Sequence, residues 1–212
     1  MTEKVETLFY KKWWFWFIAL AVIAILVVIL FFVTNSGSRS IPAKALPYPD
    51  TAKKTTLGSG IHKVGKDLKA GRYTIHSDEG SGNIMSGPNF NDIIGSDASF
   101  AINDVVQTFK DGADINIMGL GKVTFTPKVV TSVAIKPIIT ELHSGTYYVG
   151  VDIPAGEYIV HTYDEFGYFD NGTTHETIGV DASKAINNIK VEFKEGSIIK
   201  LGHLSKTTFT PQ

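Results

Sequence analysis

The chain has 212 residues, 20 Lys and Arg against 21 Asp and Glu, and a formal net charge of −1. That balance argues against a nucleic-acid binder, and the absence of cysteine excludes disulfides and Cys-ligated metals. Mean hydropathy is +0.07, a value raised by a single segment near the start.

In chain order, residues 1–12 are a short polar tail ending in Lys11 and Lys12. Trp13 to Val33 comes next, without a charge or a proline. At 1.5 Å per residue, such a run spans about 30 Å, the thickness of a bilayer's hydrocarbon core. Trp13, Trp14 and Trp16 cluster at one end, where aromatic rings favour the headgroup level. The run is longer than a signal-peptide core, and Phe31-Phe32-Val33 does not suit a small-residue cleavage site. We read an uncleaved transmembrane signal anchor, 13–33, with a cleaved signal peptide as the alternative. Lys11 and Lys12 abut its start, so the positive-inside rule places the N-terminus in the cytoplasm and the C-terminal mass outside.

Residues 34–54 read as a linker, with a flexible Asn-Ser-Gly-Ser-Arg-Ser start and a second part stiffened by Pro42, Pro47 and Pro49. Removing the three lysines and two glutamates before Thr34 leaves 17 basic and 19 acidic residues, so the rest of the chain is not expected to lie on anionic lipid.

The remainder is written twice. Val64-Gly-Lys-Asp-Leu-Lys-Ala-Gly-Arg-Tyr73 returns as Val149-Gly-Val-Asp-Ile-Pro-Ala-Gly-Glu-Tyr158, an offset of 85. Later matches run at 84: Phe109-Lys110 and Gly112 with Phe193-Lys194 and Gly196, and Thr124-Phe-Thr-Pro127 with Thr208-Phe-Thr-Pro211. The spacing predicts tandem repeats at 55–127 and 140–212. Segment 128–139 between them is too apolar and β-branched for a floppy linker, so it is expected to hold a strand against the repeats.

Alternation puts Tyr73 and Ile75, or Tyr158 and Val160, on one face of a strand. The other face carries Arg72, Thr74 and His76, or Glu157, Ile159 and His161. Asp-Ile-Pro-Ala-Gly and Lys-Glu-Gly read as turns. About six short strands per repeat are expected. In the second copy they lie near 145–151, 157–162, 167–171, 188–194, 197–202 and 206–211, with one Asp-capped helical turn at Asp181–Asn187 and its copy Asp97–Asn103. The predicted fold is all-β: two tandem homologous small sandwich- or barrel-like domains after one transmembrane helix.

The pattern V-G-x-D-[IL]-x-A-G-x-Y, with F-K-[DE]-G further along, resembles a repeat module of exported and membrane-anchored proteins of low-GC Gram-positive bacteria. The carrying residues are Val64 to Tyr73 and Phe109 to Gly112, and Val149 to Tyr158 and Phe193 to Gly196. The resemblance implies an extracytoplasmic β-domain and supplies no catalytic residues.

Candidate chemistry is sparse. His76 and His161 are the histidines shared by both copies; each is a candidate ligand-binding residue or a plain exposed strand residue. Asp67 and Asp152 read as Asx-turn carboxylates accepting backbone N–H groups. Tyr163, Phe166 and Tyr168, near Phe169, Tyr147 and Tyr148, either stack on a ligand or fill a core. Gly119-Leu-Gly-Lys-Val-Thr124 has Val123 where a phosphate loop needs Ser or Thr. No G-x-S-x-G and no calcium loop occurs. No catalytic, metal-binding or cofactor residue is assigned. The expected function is binding or scaffolding at the cell envelope, with a wall glycan or an envelope protein as partner. The alternatives are an accessory or sensor subunit of a membrane complex and, behind it, a wall-active enzyme.

Overall fold

A computed structural model describes residues 13–35, 39–46, 50–95 and 101–212; the expected tail, 1–12, lies outside them. Helix α1 covers Trp13–Asn35, 23 residues. Its sequence contains no Pro or Gly, so nothing interrupts the hydrogen-bond ladder over about 34 Å. Side chains are described as far as Val27, and over the described residues no helix is long and apolar enough to cross a membrane. The backbone helix continues to Asn35. Contacts divide the chain into a unit ending at Ser38 and a second unit, Arg39–Gln212.

The second unit is built of strands. β1 is Ser40–Pro42. The first half then runs β2 Thr55–Leu57, β3 Gly60–Lys63, β4 Gly71–Glu79, β5 Gly82–Met85, β6 Asn91–Ile94, β7 Asp104–Phe109, β8 Asp114–Met118 and β9 Lys122–Pro127. β10, Ser132–Ala134, lies between the halves. The second half runs β11 Thr140–Leu142, β12 Gly145–Tyr148, β13 Gly156–Thr162, β14 Gly167–Asp170, β15 His175–Ile178, β16 Ile189–Phe193, β17 Ile198–Gly202 and β18 Thr207–Pro211.

Each half therefore has eight strands rather than the expected six or so. The strands missed in the second half are β11 and β15. Pairing is the same in both halves. The first has the orders β2-β9-β4-β7 and β3-β8-β5-β6; the second has β11-β18-β13-β16 and β12-β17-β14-β15. The halves join because β7 pairs in parallel with β12, giving one continuous eight-stranded sheet.

A core lies between the sheets of each half. In the first it draws Tyr73, Ile75, Phe109 and Phe125 from one sheet and Ile84, Ile115 and Ile117 from the other. In the second, Tyr158, Val160, Phe193 and Phe209 meet Tyr147, Phe169, Ile199 and Leu201. The predicted inward faces hold: Tyr73, Ile75, Tyr158 and Val160 are all 0% exposed. Side chains of this size each contribute about 1.5–3 kcal/mol on burial. Both tyrosines also donate their phenol O–H to a turn carbonyl four residues earlier, Lys69 O at 2.8 Å and Pro154 O at 3.0 Å. The shared Ala-Gly-x-Tyr thus ties each turn to its core.

The turns keep closely to the sequence pattern. Gly112 and Gly196 take φ of +78° and +80°, as the Lys-carboxylate-Gly corners require. Asp67 Oδ2 accepts the Lys63 N–H, and Asp152 Oδ2 accepts the Tyr148 N–H, both at 2.8 Å. The donor sits four residues earlier, so these carboxylates brace the start of the turn and form no Asx-turn. Asp181 accepts from Ser183 N and Oγ, and its carbonyl accepts from Lys184 N and Ala185 N. This is a single capped turn, which is shorter than a helix. Part of its copy, 96–100, lies outside the described residues.

One expectation is corrected. Residues 34–54 are not simply a linker, because β1 forms an antiparallel pair with β10, Ile41 opposite Val133. The predicted strand in 128–139 is β10 itself. Residues 36–38 and 47–49 lie outside the described residues.

Candidate binding cleft at the seam

The surface where the halves meet is organised by side chains that look outward from one half and are covered by the other. Arg72 is the clearest. Its strand, β4, alternates so that Tyr73 enters the first core and Arg72 faces away from it. The second half covers that face, leaving Arg72 1% exposed. Its Nη1 lies 2.9 Å from Asp152 Oδ1, in an ion pair whose side chains are 1% and 3% exposed. The approach is too oblique for a hydrogen bond, so that contact is ionic. Nη2 donates to Thr146 O at 3.1 Å, and the guanidinium carbon sits 5.6 Å from each of the Tyr147 and Tyr148 ring centres. A buried charge needs this degree of compensation.

Further along the seam, β6 of the first half brings Asp92 against the β17–β18 turn of the second. Asp92 is 4% exposed, and Oδ1 accepts the His203 N–H at 3.2 Å. Burial pushes its carboxyl up to about 7, against an ordinary value of 3.8; the single N–H bond opposes this only in part. His203 Nδ1 lies 3.9 Å from the same oxygen. Burial lowers the imidazole's affinity for a proton. Both groups are thus driven towards neutrality.

His203 borders two adjoining cavities. The larger, about 680 Å³, is lined by Ile93 and Ile102 of the first half and by Tyr163, Asp164, Phe166 and Ser205 of the second. The smaller, about 260 Å³, has Asp92, Asn89 and Asn91 facing Tyr168, Lys200 and His203. Beside it, Asp170 accepts from Tyr168 Oη at 2.9 Å and from Gly172 N at 2.6 Å. His175 Nδ1 and Lys200 Nζ stand 3.1 and 3.6 Å from its oxygens. Burial acts to raise the Asp170 carboxyl, but these donors and cations together outweigh it and hold the group below its usual range.

The sequence-predicted site residues separate here. Tyr163, Phe166 and Tyr168 are 78%, 46% and 42% exposed and line the two cavities. Phe169 and Tyr147 fill the second core. His161 is half-buried and meets Tyr163 in a T-shaped arrangement, centroids 5.5 Å apart. His76 is not part of this cleft: it is exposed on β4, with Nδ1 3.1 Å from both Asp104 Oδ1 and Asn103 O. Asp104 corresponds to Asn188 in the second half, so the two shared histidines lack a common partner. Among the described residues no group of three His, Asp or Glu could hold a metal ion.

Sequence reasoning missed Asp92, His203 and Arg72. No protein-family model, curated protein or solved structure matches the chain.

Asp92 aligns with Glu176, a carboxylate at the same place in β15 that is exposed. Only the covering by the other half distinguishes them, and a sequence read one repeat at a time carries no signal for that. What the arrangement offers chemically is a mixed surface: aromatic faces that stack, a buried carboxylate with spare acceptor capacity, and amide and ammonium donors.

Proposed function

We propose that the chain is a membrane-anchored extracytoplasmic protein. In this reading α1 is the single span, and two tandem copies of one sandwich-like β-domain are presented at the cell envelope to bind a polar, ring-containing ligand such as a wall glycan. The observation that carries the reading is the seam cleft. Three exposed aromatic rings there face polar groups drawn from both halves, a lining suited to sugar or peptide rings. The uncharged 23-residue helix supports the anchor, and the repeat motif's resemblance to exported proteins supports the location.

Binding is favoured over catalysis because Asp170, the other buried carboxylate beside the cleft, is fully occupied. Asp92, with a raised pKa, has the character of a general acid. Asp170 is held by Tyr168, Gly172, Lys200 and His175 and is not free to act as its partner.

Retention of the full chain on purified cell-wall polysaccharide tests the binding reading. Removing both rings with Y163A/F166A is expected to weaken retention by about tenfold or more, given roughly 1–3 kcal/mol per stacked ring pair and its buried area. His76→Ala, away from the cleft, is expected to leave it unchanged. Equal retention of all three proteins, or none by any, would count against the cleft as a glycan site. Protease shaving of intact cells, with 55–212 released in fragments, is the expected outcome for the topology.

A further inference from the structure

We propose that the β1–β10 ribbon and the connector after it form a lipid-facing contact. Its exposed isoleucines enter the headgroup–acyl boundary, and its basic residues meet anionic headgroups. The inference rests on α1 being the membrane anchor.

The ribbon is short and well defined. Ser40 pairs with Ala134 and Pro42 with Ser132, and the ladder continues through Ile135 N to Arg39 O at 2.9 Å and Ala43 N to Thr131 O at 3.1 Å. Alternation places Arg39, Ile41, Val133 and Ile135 on one face. Val133 is covered, whereas Ile41 and Ile135 are 47% and 50% exposed. The flanking Val129, Ile138 and Ile139 are 73%, 39% and 66% exposed. Scattered exposed apolar residues need no explanation, but here five fall on two hydrogen-bonded segments.

Basic residues gather in the same place. Segments 34–49 and 128–140 contain Arg39, Lys44, Lys128 and Lys136, with Asp50 and Glu141 at their borders, and Asp50 lines one cavity with Lys44 and Lys128. Lys44 is paired with Glu195 at 2.9 Å; the other three form no ion pair among the described residues. Apolar β-branched residues edged by Lys and Arg are the composition of an interfacial contact with anionic lipid.

The occupant is fixed by the tether. Ser40 is five residues after Asn35, the last residue of α1. Fully extended, those residues reach about 17 Å, so a ribbon tethered to a membrane helix can lie no farther than that from the helix end. The ribbon is also fastened to the β unit, since Lys44 N donates to Gly150 O at 3.2 Å. Seating it on lipid would hold the whole unit at one height above the bilayer.

The chain has no cysteine, so a single Ile135→Cys gives a unique label site. The full chain carrying an environment-sensitive fluorophore there is placed in vesicles of phosphatidylcholine and phosphatidylglycerol, about three to one. The expected result is blue-shifted emission, quenched by a lipid-borne quencher at least about threefold more than the same label at Thr173, with the difference reduced by I41S/I138S/I139S. An alkaline wash of the same vesicles reports on the anchor. Chain retained after the wash with an aqueous label at 135 would overturn the ribbon contact alone. A blue shift that lipid-borne quencher does not touch would overturn it too, by assigning the patch to a protein partner. Chain lost in the wash would sink both this contact and the anchor on which it rests.

Discussion

Arg72 shows how one residue position comes to mean different things in two copies of a sequence. Its counterpart, Glu157, is exposed and paired with Lys190 at 2.9 Å, an ordinary surface bridge of little energetic weight. Arg72 instead directs its charge at Asp152 across the seam. Truncating one partner strands the other, so Arg72→Ala is expected to cost about 3–5 kcal/mol in denaturant unfolding. Replacing both, as R72M/D152L, is expected to cost far less than the two single changes added together. Additive losses would mean that the pair is not coupled. Asp92 makes a second prediction, with a sign. Its folded pKa, about 7, is above the unfolded value near 3.8. The folded state therefore holds the proton more tightly, and stability falls as pH rises from about 4 to 7. Asp92→Asn removes that slope. Relative to its effect at pH 4, the substitution is expected to stabilise by about 2–4 kcal/mol at pH 8. Parallel stability–pH curves for the two proteins would contradict the assignment.

At the scale of elements, the decisive contact is the parallel junction of β7 and β12. Val106 N donates to Ser144 O at 3.0 Å, and the Val106 side chain enters the core of the second half. The backbones approach so closely that a Cβ on Gly145 would stand 2.3 Å from Val106 O. Its φ is +147°, and that of its counterpart Gly60 is +139°, but a Cβ on Gly60 would meet nothing nearer than His62 Nε2 at 3.8 Å. Gly145→Ala is therefore expected to destabilise by about 3 kcal/mol or more, through collision with backbone added to φ strain. Gly60→Ala carries the strain alone, about 1–2 kcal/mol. A thermal-melt comparison of the two isolates the junction. The same elements show what a sequence can and cannot disclose. Long alternating strands such as β4 and β13 were legible because Tyr73 and Ile75, or Tyr158 and Val160, recur at period two. β11 and β15, three and four residues long, are too short to display a period. β1 was hidden because Ser40-Ile-Pro42 reads as linker chemistry. The aromatic side of the cleft was legible from Tyr163, Phe166 and Tyr168. Its polar side was not, since Asp92 and His203 lie 111 residues apart and meet only through the junction.

For the molecule as a whole, that junction raises the question of whether one chain can add to the next. β7 offers an edge and β12 accepts it. Their counterparts, β16 and β3, lie at the edges of their sheets, with no strand on the outer side among the described residues. Such a head-to-tail contact between identical modules generates an open polymer unless something blocks the next step. The outward face of β16 and β13 differs in charge from that of β7 and β4. Val106 corresponds to Lys190, and Arg72 to Glu157; Asp152 corresponds to Asp67. A second chain presenting β3 to β16 would set Glu157 near Asp67, like charge against like, and would bury Lys190 where the internal junction has valine. Edge charges of this kind are a common safeguard against strand addition. Restoring the internal pattern with K190V/E157R is expected to remove it. The detergent-solubilised variant should then sediment as a concentration-dependent series of oligomers, while the parent chain keeps one sedimentation coefficient over the same range. A variant that sediments as its parent does would show that geometry, and not charge, closes the array.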